Sequence, residues 1–398
     1  MPTYISNVTL FDGRTVKRRA GVLVGDGRVE WVGPHARATR SARAADEIDG
    51  RGKTLTPGLI DCHVHLCFDG GADFAGEARE MTTDAAATVK AVRNAARTLD
   101  HGVTTVRDLG GRGDSVIQVA RGVERGLLAG PRILAAGRAL TITGGHGHQI
   151  GFAREVDGPE GLRRAVREEI RAGATAIKLV ATGGVLSPGI THDFTAFTQD
   201  ELDTAVDEAH SWSRVVGAHA IGPEGIVRAI RAGVDSIEHG SMLSAEGARL
   251  MRERGTFHVP TISAIRGIID HADEVPAYAV EKATALVELA RGGFRRSLRG
   301  GVRIACGTDA GTPFNPHGNT LVEIVRMVEW GMTPLQAMRS ATSNAAALLR
   351  LADVGVVATG AAADLVLFGS SPLEDIRAVL EPALVIQRGE LVASPMPW

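Results

Sequence analysis

Residues 56–66 read TPGLIDCHVHL, and the fold can be predicted outward from this stretch. The apolar run that follows Pro57 and Gly58 is short enough for a buried strand and too short for a typical helix. His63 and His65 stand two positions apart, so the alternation of side chains along a strand sends both imidazoles to one face. Imidazole is the commonest metal ligand. Two histidines in a strand can equally be polar groups of the core. Whether they bind a metal therefore depends on whether the rest of the chain supplies further ligands.

The composition is that of an ordinary globular protein, with 398 residues, 44% hydrophobic, 23% charged and a formal net charge of −2. This near balance and the lack of a long basic run argue against nucleic acid or an anionic membrane as a partner. Three cysteines are too few for a disulfide framework and indicate a reducing compartment. No stretch approaches about eighteen apolar residues. We therefore expect a cytoplasmic protein.

Both ends of the chain are predicted to form β structure. Residues 3–11, 20–24 and 29–32 are strand-like, and the turn Gly25-Asp26-Gly27 favours a hairpin. A similar pattern returns only at residues 363–368 and 383–386. We expect residues 1–56 and 355–398 to pair into one small β domain that flanks residues 57–354.

Residues 57–354 alternate apolar strands with amphipathic helical segments, a pattern typical of parallel βα units. The eight candidate strands are residues 55–66, 103–109, 132–140, 175–181, 215–221, 234–239, 256–262 and 302–308. Eight repeats in a segment of this length predict an α/β fold of the (β/α)8 TIM barrel type. An open doubly wound sheet is the alternative, but no GxGxxG sequence follows any of these strands.

In such a barrel the chemistry lies at the carboxyl ends of the strands. Titratable side chains occur at five of those ends, and they are His63, His65, Lys178, His219, His239 and Asp309. Each alone has an ordinary structural explanation, but their joint occurrence favours a metal site, because hydrolytic zinc uses imidazole and carboxylate ligands with one open position. Lys178 lies between apolar neighbours, and an ammonium cannot bind a metal. Only its neutral amine could take part.

The motifs HVH after PGLID, AIKLVATGG, AHA, EHG and GTDAG occur in an order and with separations that resemble the metal-dependent amidohydrolase superfamily over essentially the whole chain. Within it, the chain resembles the imidazolonepropionase-like group with Xaa-Pro dipeptidases and ochratoxin-type amidases. The chain ends resemble the small β-sandwich domain of that superfamily.

The resemblance implies two divalent metal ions, with zinc expected. His63, His65 and Asp309 would hold one ion, and His219 and His239 the second. Lys178, carboxylated by CO2, and a hydroxide would bridge them. Asp309 would be the general base that activates the attacking water.

Candidate substrate contacts come from loops at the same face. His146 and His148 in TGGHGH are predicted to hydrogen-bond the scissile carbonyl or a substrate carboxylate, with His146 also a candidate catalytic residue. Related dipeptidases carry a tyrosine after AHA, where this chain has Ile221, so dipeptide cleavage is in doubt. Arg266 is a candidate replacement anchor for a substrate carboxylate.

These residues predict a binuclear hydrolase that cleaves an amide bond of a small carboxyl-bearing substrate, peptide-like or N-acyl amino acid. A cyclic amidohydrolase or deaminase, a carbamate, ester or lactone hydrolase, and a catalytically silent barrel scaffold are the alternatives. Metal content separates these alternatives. A binuclear hydrolase should hold about two ions, a deaminase about one, and a scaffold none. The superfamily resemblance also implies a homo-oligomer.

Overall fold

The computed structural model describes residues 2–392, apart from the side chain of Ala75; residues 1 and 393–398 of the predicted terminal domain lie outside the described residues. The N-terminal strands are β1 Thr3–Phe11, β2 Val16–Gly25, β3 Arg28–Pro34, β4 Asp46–Asp49 and β5 Thr54–Pro57. The central strands are β6 Leu59–Val64, β7 Val103–Asp108, β8 Arg132–Ala135, β9 Ala139–Thr141, β10 Ala153–Glu155, β11 Ala176–Val180, β12 Val215–Ala220, β13 Ser236–His239 and β14 Phe257–Val259. The C-terminal strands are β15 Leu365–Phe368, β16 Pro382–Gln387 and β17 Glu390–Leu391.

Most of the helices lie between the central strands or after the last of them. The helices are α1 Arg40–Ala44, α2 Phe74–Glu80, α3 Asp84–Asp100, α4 Ser115–Glu124, α5 Pro159–Ala172, α6 Gln199–Ser211, α7 Pro223–Ala232, α8 Ala245–Arg254, α9 Ile262–Asp270, α10 Ala277–Gly300, α11 Thr320–Glu329, α12 Pro334–Ser340 and α13 Ser343–Leu348. Short 3-10 turns lie at His35–Arg37, His148–Ile150 and Ile376–Leu380. None of the helices in residues 2–392 combines the length and the apolar character needed to cross a membrane.

The two chain ends meet in one eight-stranded sheet, in the order β17-β16-β15-β5-β1-β2-β3 with β4 beside β1. Leu55 of β5 pairs with Leu10 of β1 on one side and with Leu367 of β15 on the other. The predicted hairpin is present between β2 and β3, and its turn residues Asp26 and Gly27 both have positive φ. The predicted pairing of the chain ends is therefore observed, while the domain boundaries stay a prediction.

The central strands form two parallel sheets, β6-β7-β8 and β9 to β14, the second in the order β10-β9-β11-β12-β13-β14. Helices α5 and α7 each begin at a proline and end before a glycine of positive φ, which are residues typical of a helix start and a helix end. A capping box at Thr198 and the side chain of Ser244 begin α6 and α8. The fold is of the predicted α/β class.

Three strand predictions differ from the structure. Residues 55–66 divide at Gly58, so that β5 joins the terminal sheet and only β6 belongs to the central one. Residues 132–140 divide into β8 and β9, since Gly137 adopts positive φ between them. Residues 302–308 form no continuous strand. They make a single parallel bridge from Ile304 to His258, and the segment then hydrogen-bonds to β6.

Candidate metal centre

The predicted ligands come together at the carboxyl ends of the central strands. Parallel pairing places Lys178 of β11 beside Gly217 of β12, and Ala220 of β12 beside His239 of β13. The backbone N–H of Asp309 donates to the carbonyl of His63 at 2.7 Å, which brings the segment after Ile304 to the end of β6. One cavity is lined by all six predicted ligands, His63, His65, Lys178, His219, His239 and Asp309.

Asp309 lies at the centre of the first group of side chains. Its Oδ1 is 3.3 Å from Nε2 of His63 and 3.1 Å from Nε2 of His65. Nζ of Lys178 lies 3.3 Å from the same Nε2 of His63. Ligand atoms of His63, His239 and Asp309 all lie within 4.8 Å of one another, a separation that suits one metal ion.

His219 and His239 form the second group, with ring centroids 4.5 Å apart. His239 also lies near His63, at 5.3 Å between centroids. The two groups are therefore neighbours within the same cavity rather than separate sites.

Each of these four histidines has one ring nitrogen occupied by a partner outside the ligand set. The pairs are His63 Nδ1 with Glu238 Oε2 at 2.9 Å, His65 Nδ1 with Gly110 O at 2.8 Å, His219 Nε2 with Gly183 O at 2.8 Å, and His239 Nδ1 with Thr261 Oγ1 at 2.7 Å. Metal-binding histidines are oriented in this way, since the second nitrogen fixes the ring and its tautomer. The opposite nitrogen of each ring is the one that remains for an ion.

Burial sets the charge of these imidazoles. It lowers the pKa of His63, His219 and His239 well below the usual value, and the positive charge of Lys178 lowers each further. These three rings are therefore neutral at physiological pH, which is the form that binds a metal.

Asp309 and Lys178 are shifted in directions that suit the same chemistry. Burial alone would raise the pKa of Asp309, but its close neighbours His63 and Lys178 and its hydrogen bond with His65 outweigh burial and hold the pKa below its ordinary value. Burial alone would lower the pKa of His65, yet its hydrogen bond to Asp309 raises it. Burial lowers the pKa of Lys178 to about 8, against the opposing pull of Glu238 and Asp309. At pH 7 about a tenth of this amine is thus neutral, far more than for a lysine of ordinary pKa.

The backbone is strained at two of the ligand positions. His239 has φ 67° and Asp309 has φ 61°, in the left-handed region that non-glycine residues rarely adopt. Thr261, the hydrogen-bond partner of His239, has φ 50°. Strained backbone that surrounding structure holds in place is concentrated at functional sites.

Sequence reasoning missed two charged residues beneath the site. Glu238 binds His63, and its other oxygen accepts a hydrogen bond from Arg107 at 2.8 Å, with both side chains fully buried. The sequence did contain an indication of this pair, because Arg107 in TTVRDL and Glu238 in SIEHG are charged residues inside predicted buried strands. Charged side chains are almost never fully buried unless they are paired.

The cavity wall away from the ligands is mostly apolar, with Ser241 and Thr312 as polar exceptions, and the cavity together with its opening to solvent measures about 790 Å3. Its apolar residues are Phe68, Phe74, Ile150, Phe152, Val180, Val185, Leu186, Ile221, Ala264, Ile265, Ile268 and Leu286. His146 also lines the cavity, and burial lowers its pKa to about 4. Two of the predicted substrate contacts, His146 and Ile221, are thus placed at the cavity.

The other two predicted substrate contacts lie elsewhere. His148 begins the 3-10 turn His148–Ile150, donates through Nδ1 to the carbonyl of Gly145 and lines a neighbouring cavity. Arg266 lies on α9 and pairs with Asp270 one turn along that helix. Neither lines the ligand-bearing cavity, so their roles stay predictions without support from their contacts.

Comparison with known proteins agrees with this geometry. The sequence profile of the Amidohydrolase family matches residues 54–392. Ochratoxinase from Aspergillus niger is 33% identical over 415 residues, covering 96% of this chain and 85% of its own, and imidazolonepropionase from Ectopseudomonas mendocina is 28% identical, covering 97% and 94%. A solved Xaa-Pro dipeptidase with methionine bound in its active site superimposes with a TM-score of 0.91 at 35% identity, covering 98% of this chain and 100% of its own.

These matches extend over nearly the whole chain, including the central strands and the segments that carry the six ligand candidates. They confirm the predicted resemblance and the prediction of a hydrolytic enzyme. The family implies a TIM-barrel-type fold, which agrees with the parallel central strands. The chain therefore belongs to the Amidohydrolase family of hydrolases.

Proposed function

We propose that this protein is a binuclear metal-dependent hydrolase that cleaves an amide bond of a small carboxyl-bearing substrate, peptide-like or N-acyl amino acid. One observation carries the proposal. Six ligand candidates, five of them buried and His239 partly buried, line a single cavity, and each of the four histidines has one nitrogen held from outside and the other left for an ion.

A closed (β/α)8 barrel over residues 57–354 is part of the proposal. Closure on one side is supported by the N–H of Cys62, which donates to the carbonyl of Cys306 at 2.8 Å. On the other side the N–H of Thr175 donates to the carbonyl of Ala135 at 2.8 Å, linking the end of β8 to the start of β11. The terminal sheet would form the small β-sandwich domain of residues 1–56 and 355–398.

The residues present fit two divalent ions, and zinc is the ion that neutral imidazoles and a carboxylate favour. His63, His65 and Asp309 would hold the first ion, and His219 and His239 the second. Lys178, carboxylated by CO2, would be shared between them, which its lowered pKa permits because only the neutral amine reacts with CO2. Bound ions of this kind supply a water of lowered pKa and polarise a carbonyl oxygen.

Two side chains would then move or donate protons. Asp309 is ionised at neutral pH and lies among the ligands, so it can accept the proton of the attacking water and return it to the leaving amine. His146 lines the same cavity and stands beside His219, with ring centroids 4.8 Å apart. It would donate a hydrogen bond to the scissile carbonyl oxygen. The mostly apolar wall would lower the local dielectric around both interactions and so strengthen them.

The relatives agree with an amide substrate, since they include an ochratoxinase and a Xaa-Pro dipeptidase. Ile221 is 4% exposed, and by the family resemblance it takes the place of a tyrosine found in dipeptidases. It offers no hydroxyl to a substrate carboxylate, so we expect N-acyl amino acids with apolar side chains to be better substrates than dipeptides. A homo-oligomer in the cytoplasm remains part of the proposal.

A library of N-acyl amino acids and dipeptides, incubated with the zinc-loaded protein and bicarbonate, tests the function through amine release. The control is Asp309→Asn protein purified in the same way, which removes any contaminating hydrolase activity from the comparison. Amine release by the natural sequence alone supports the proposal. The proposal would be contradicted if protein that holds two ions hydrolysed esters or lactones but cleaved no amide.

A further inference from the structure

The ring of His146 is held at one nitrogen by a buried serine. Its Nδ1 lies 2.7 Å from Oγ of Ser187, and the N–H of Gly147 donates to the same oxygen at 3.3 Å. Ser187 is 2% exposed, so its own hydroxyl proton needs an acceptor within the protein. Among the contacts of the described residues, Nδ1 of His146 is the acceptor available to it. The hydroxyl therefore donates to Nδ1, and the proton of the neutral imidazole is on Nε2.

Two neighbouring residues also confine this ring. His219 lies against one side, with centroids 4.8 Å apart. Gly184 lies against the ring so closely that an added Cβ would be 2.4 Å from Nε2 and 2.5 Å from Cε1. Glycine is thus the residue that leaves room for the ring.

Ser187 is in turn held by α10. The ammonium of Lys282 donates to the carbonyls of Ile190 at 2.6 Å, Ser187 at 2.7 Å and Gly184 at 3.2 Å. Three charge-assisted bonds to one short segment fix it more firmly than neutral bonds would. The hydroxyl of Tyr278 adds a bond to the carbonyl of Leu186 at 3.3 Å. Residues 184–190, which contribute Val185 and Leu186 to the cavity wall, are therefore fastened to α10.

We propose that Ser187 is a positioning residue that fixes His146 as the Nε2–H tautomer, and that Lys282 maintains this arrangement by holding the backbone of residues 184–190. The inference rests on the proposed function, in which His146 donates to the scissile carbonyl. It extends that function, because it explains why the proton is on Nε2. This is the ring nitrogen of His146 that makes no hydrogen bond to any described residue and can therefore donate to a substrate. A hydroxyl at another position of residues 184–190 would not select the tautomer, because it would not contact Nδ1 of His146.

Nitrogen NMR of protein labelled with ¹⁵N at histidine tests the tautomer directly, without turnover. The His146→Gln variant assigns the signals, and the zinc-loaded protein is measured at neutral pH. We expect His146 to show a protonated Nε2 and an unprotonated Nδ1. The Ser187→Ala variant should show a mixture of the two tautomers, and Ser187→Thr, which keeps the hydroxyl, should restore the single form.

The Lys282→Met variant should also mix the tautomers, whereas Ser211→Ala, at the exposed end of α6, serves as the matched control and should change nothing. A protonated Nδ1 in the natural sequence, or a His146 spectrum that Ser187→Ala leaves unchanged, would overturn the inference. The NMR experiment uses no substrate, so its result does not depend on the amide assay. A failed amide assay would refute the proposed function but would not change the tautomer found for His146.

Discussion

Oε2 of Glu238 lies 2.9 Å from Nδ1 of His63, across 175 positions of the sequence. The second oxygen of Glu238 accepts from Arg107 at 2.8 Å and from Ser236 at 2.5 Å. Arg107 also donates through Nε to the carbonyl of Cys62, directly before His63. This buried network holds His63 with its Nε2 toward Lys178 and Asp309.

The Glu238→Gln variant should bind zinc roughly 10 to 100 times more weakly, because partners of this kind orient the ligand and raise its basicity. Chelator competition measures the affinity. Glu246→Gln, on the exposed surface of α8, is the matched control. Equal affinity in both variants would show that Glu238 does not support the metal centre.

The Arg107→Met variant should lower the free energy of unfolding by about 3 to 5 kcal/mol, since it leaves the fully buried Glu238 without its charged partner. Urea unfolding followed by circular dichroism gives the value. The comparison is Arg249→Met, which removes an exposed pair with Glu253 on α8 and should change stability by about 0 to 1 kcal/mol. Similar losses in the two variants would contradict the role of the buried pair.

The Asp309→Asn variant should lose about 10²-fold or more in turnover while it keeps much of its metal, because the amide cannot accept a proton from water. Turnover and metal content must be measured on the same preparation. Full metal with normal turnover would show that Asp309 is not the general base.

The metal-free protein should become more stable as pH rises from about 8 toward 10.5. Burial lowers the pKa of Lys178 from 10.5 to about 8, so between those values the unfolded chain binds a proton that the folded chain does not. The full difference corresponds to about 3 kcal/mol. The Lys178→Met variant, compared by urea unfolding in CO2-free buffer, should lack this rise. A rise of equal size in the variant would contradict the shifted pKa.

The ligand candidates could be predicted because each stands at the end of an apolar run, where the strand pattern and the residue type agree. His63, Lys178 and His219 are recognisable in this way from the sequence alone. The strand period also predicts that His63 and His65 share a face, and both line one cavity.

The supporting residues could not be predicted in the same way. Glu238 and Ser187 act through contacts 175 and 41 positions away in sequence, and only the folded chain brings such partners together. Arg266 shows another limit of the sequence, since its place after a predicted strand made it a candidate substrate contact, whereas its side chain pairs along its own helix with Asp270.

The strand errors have a local cause. Glycines at positions 58 and 137 interrupt runs that look continuous by hydrophobicity, and the period of a run does not reveal which sheet each half will join. The segment around Ile304 is apolar like a strand, but it makes only an isolated bridge there. Hydrophobic pattern thus predicts the number and order of units better than their pairing.

Anomalous diffraction from crystals of the zinc-loaded protein, collected at the zinc absorption edge, tests the central claim most directly. We expect two zinc peaks in the one cavity, the first beside His63, His65 and Asp309 and the second beside His219 and His239, with Lys178 between them. A single peak, no peak, or zinc bound away from these six side chains would contradict the account.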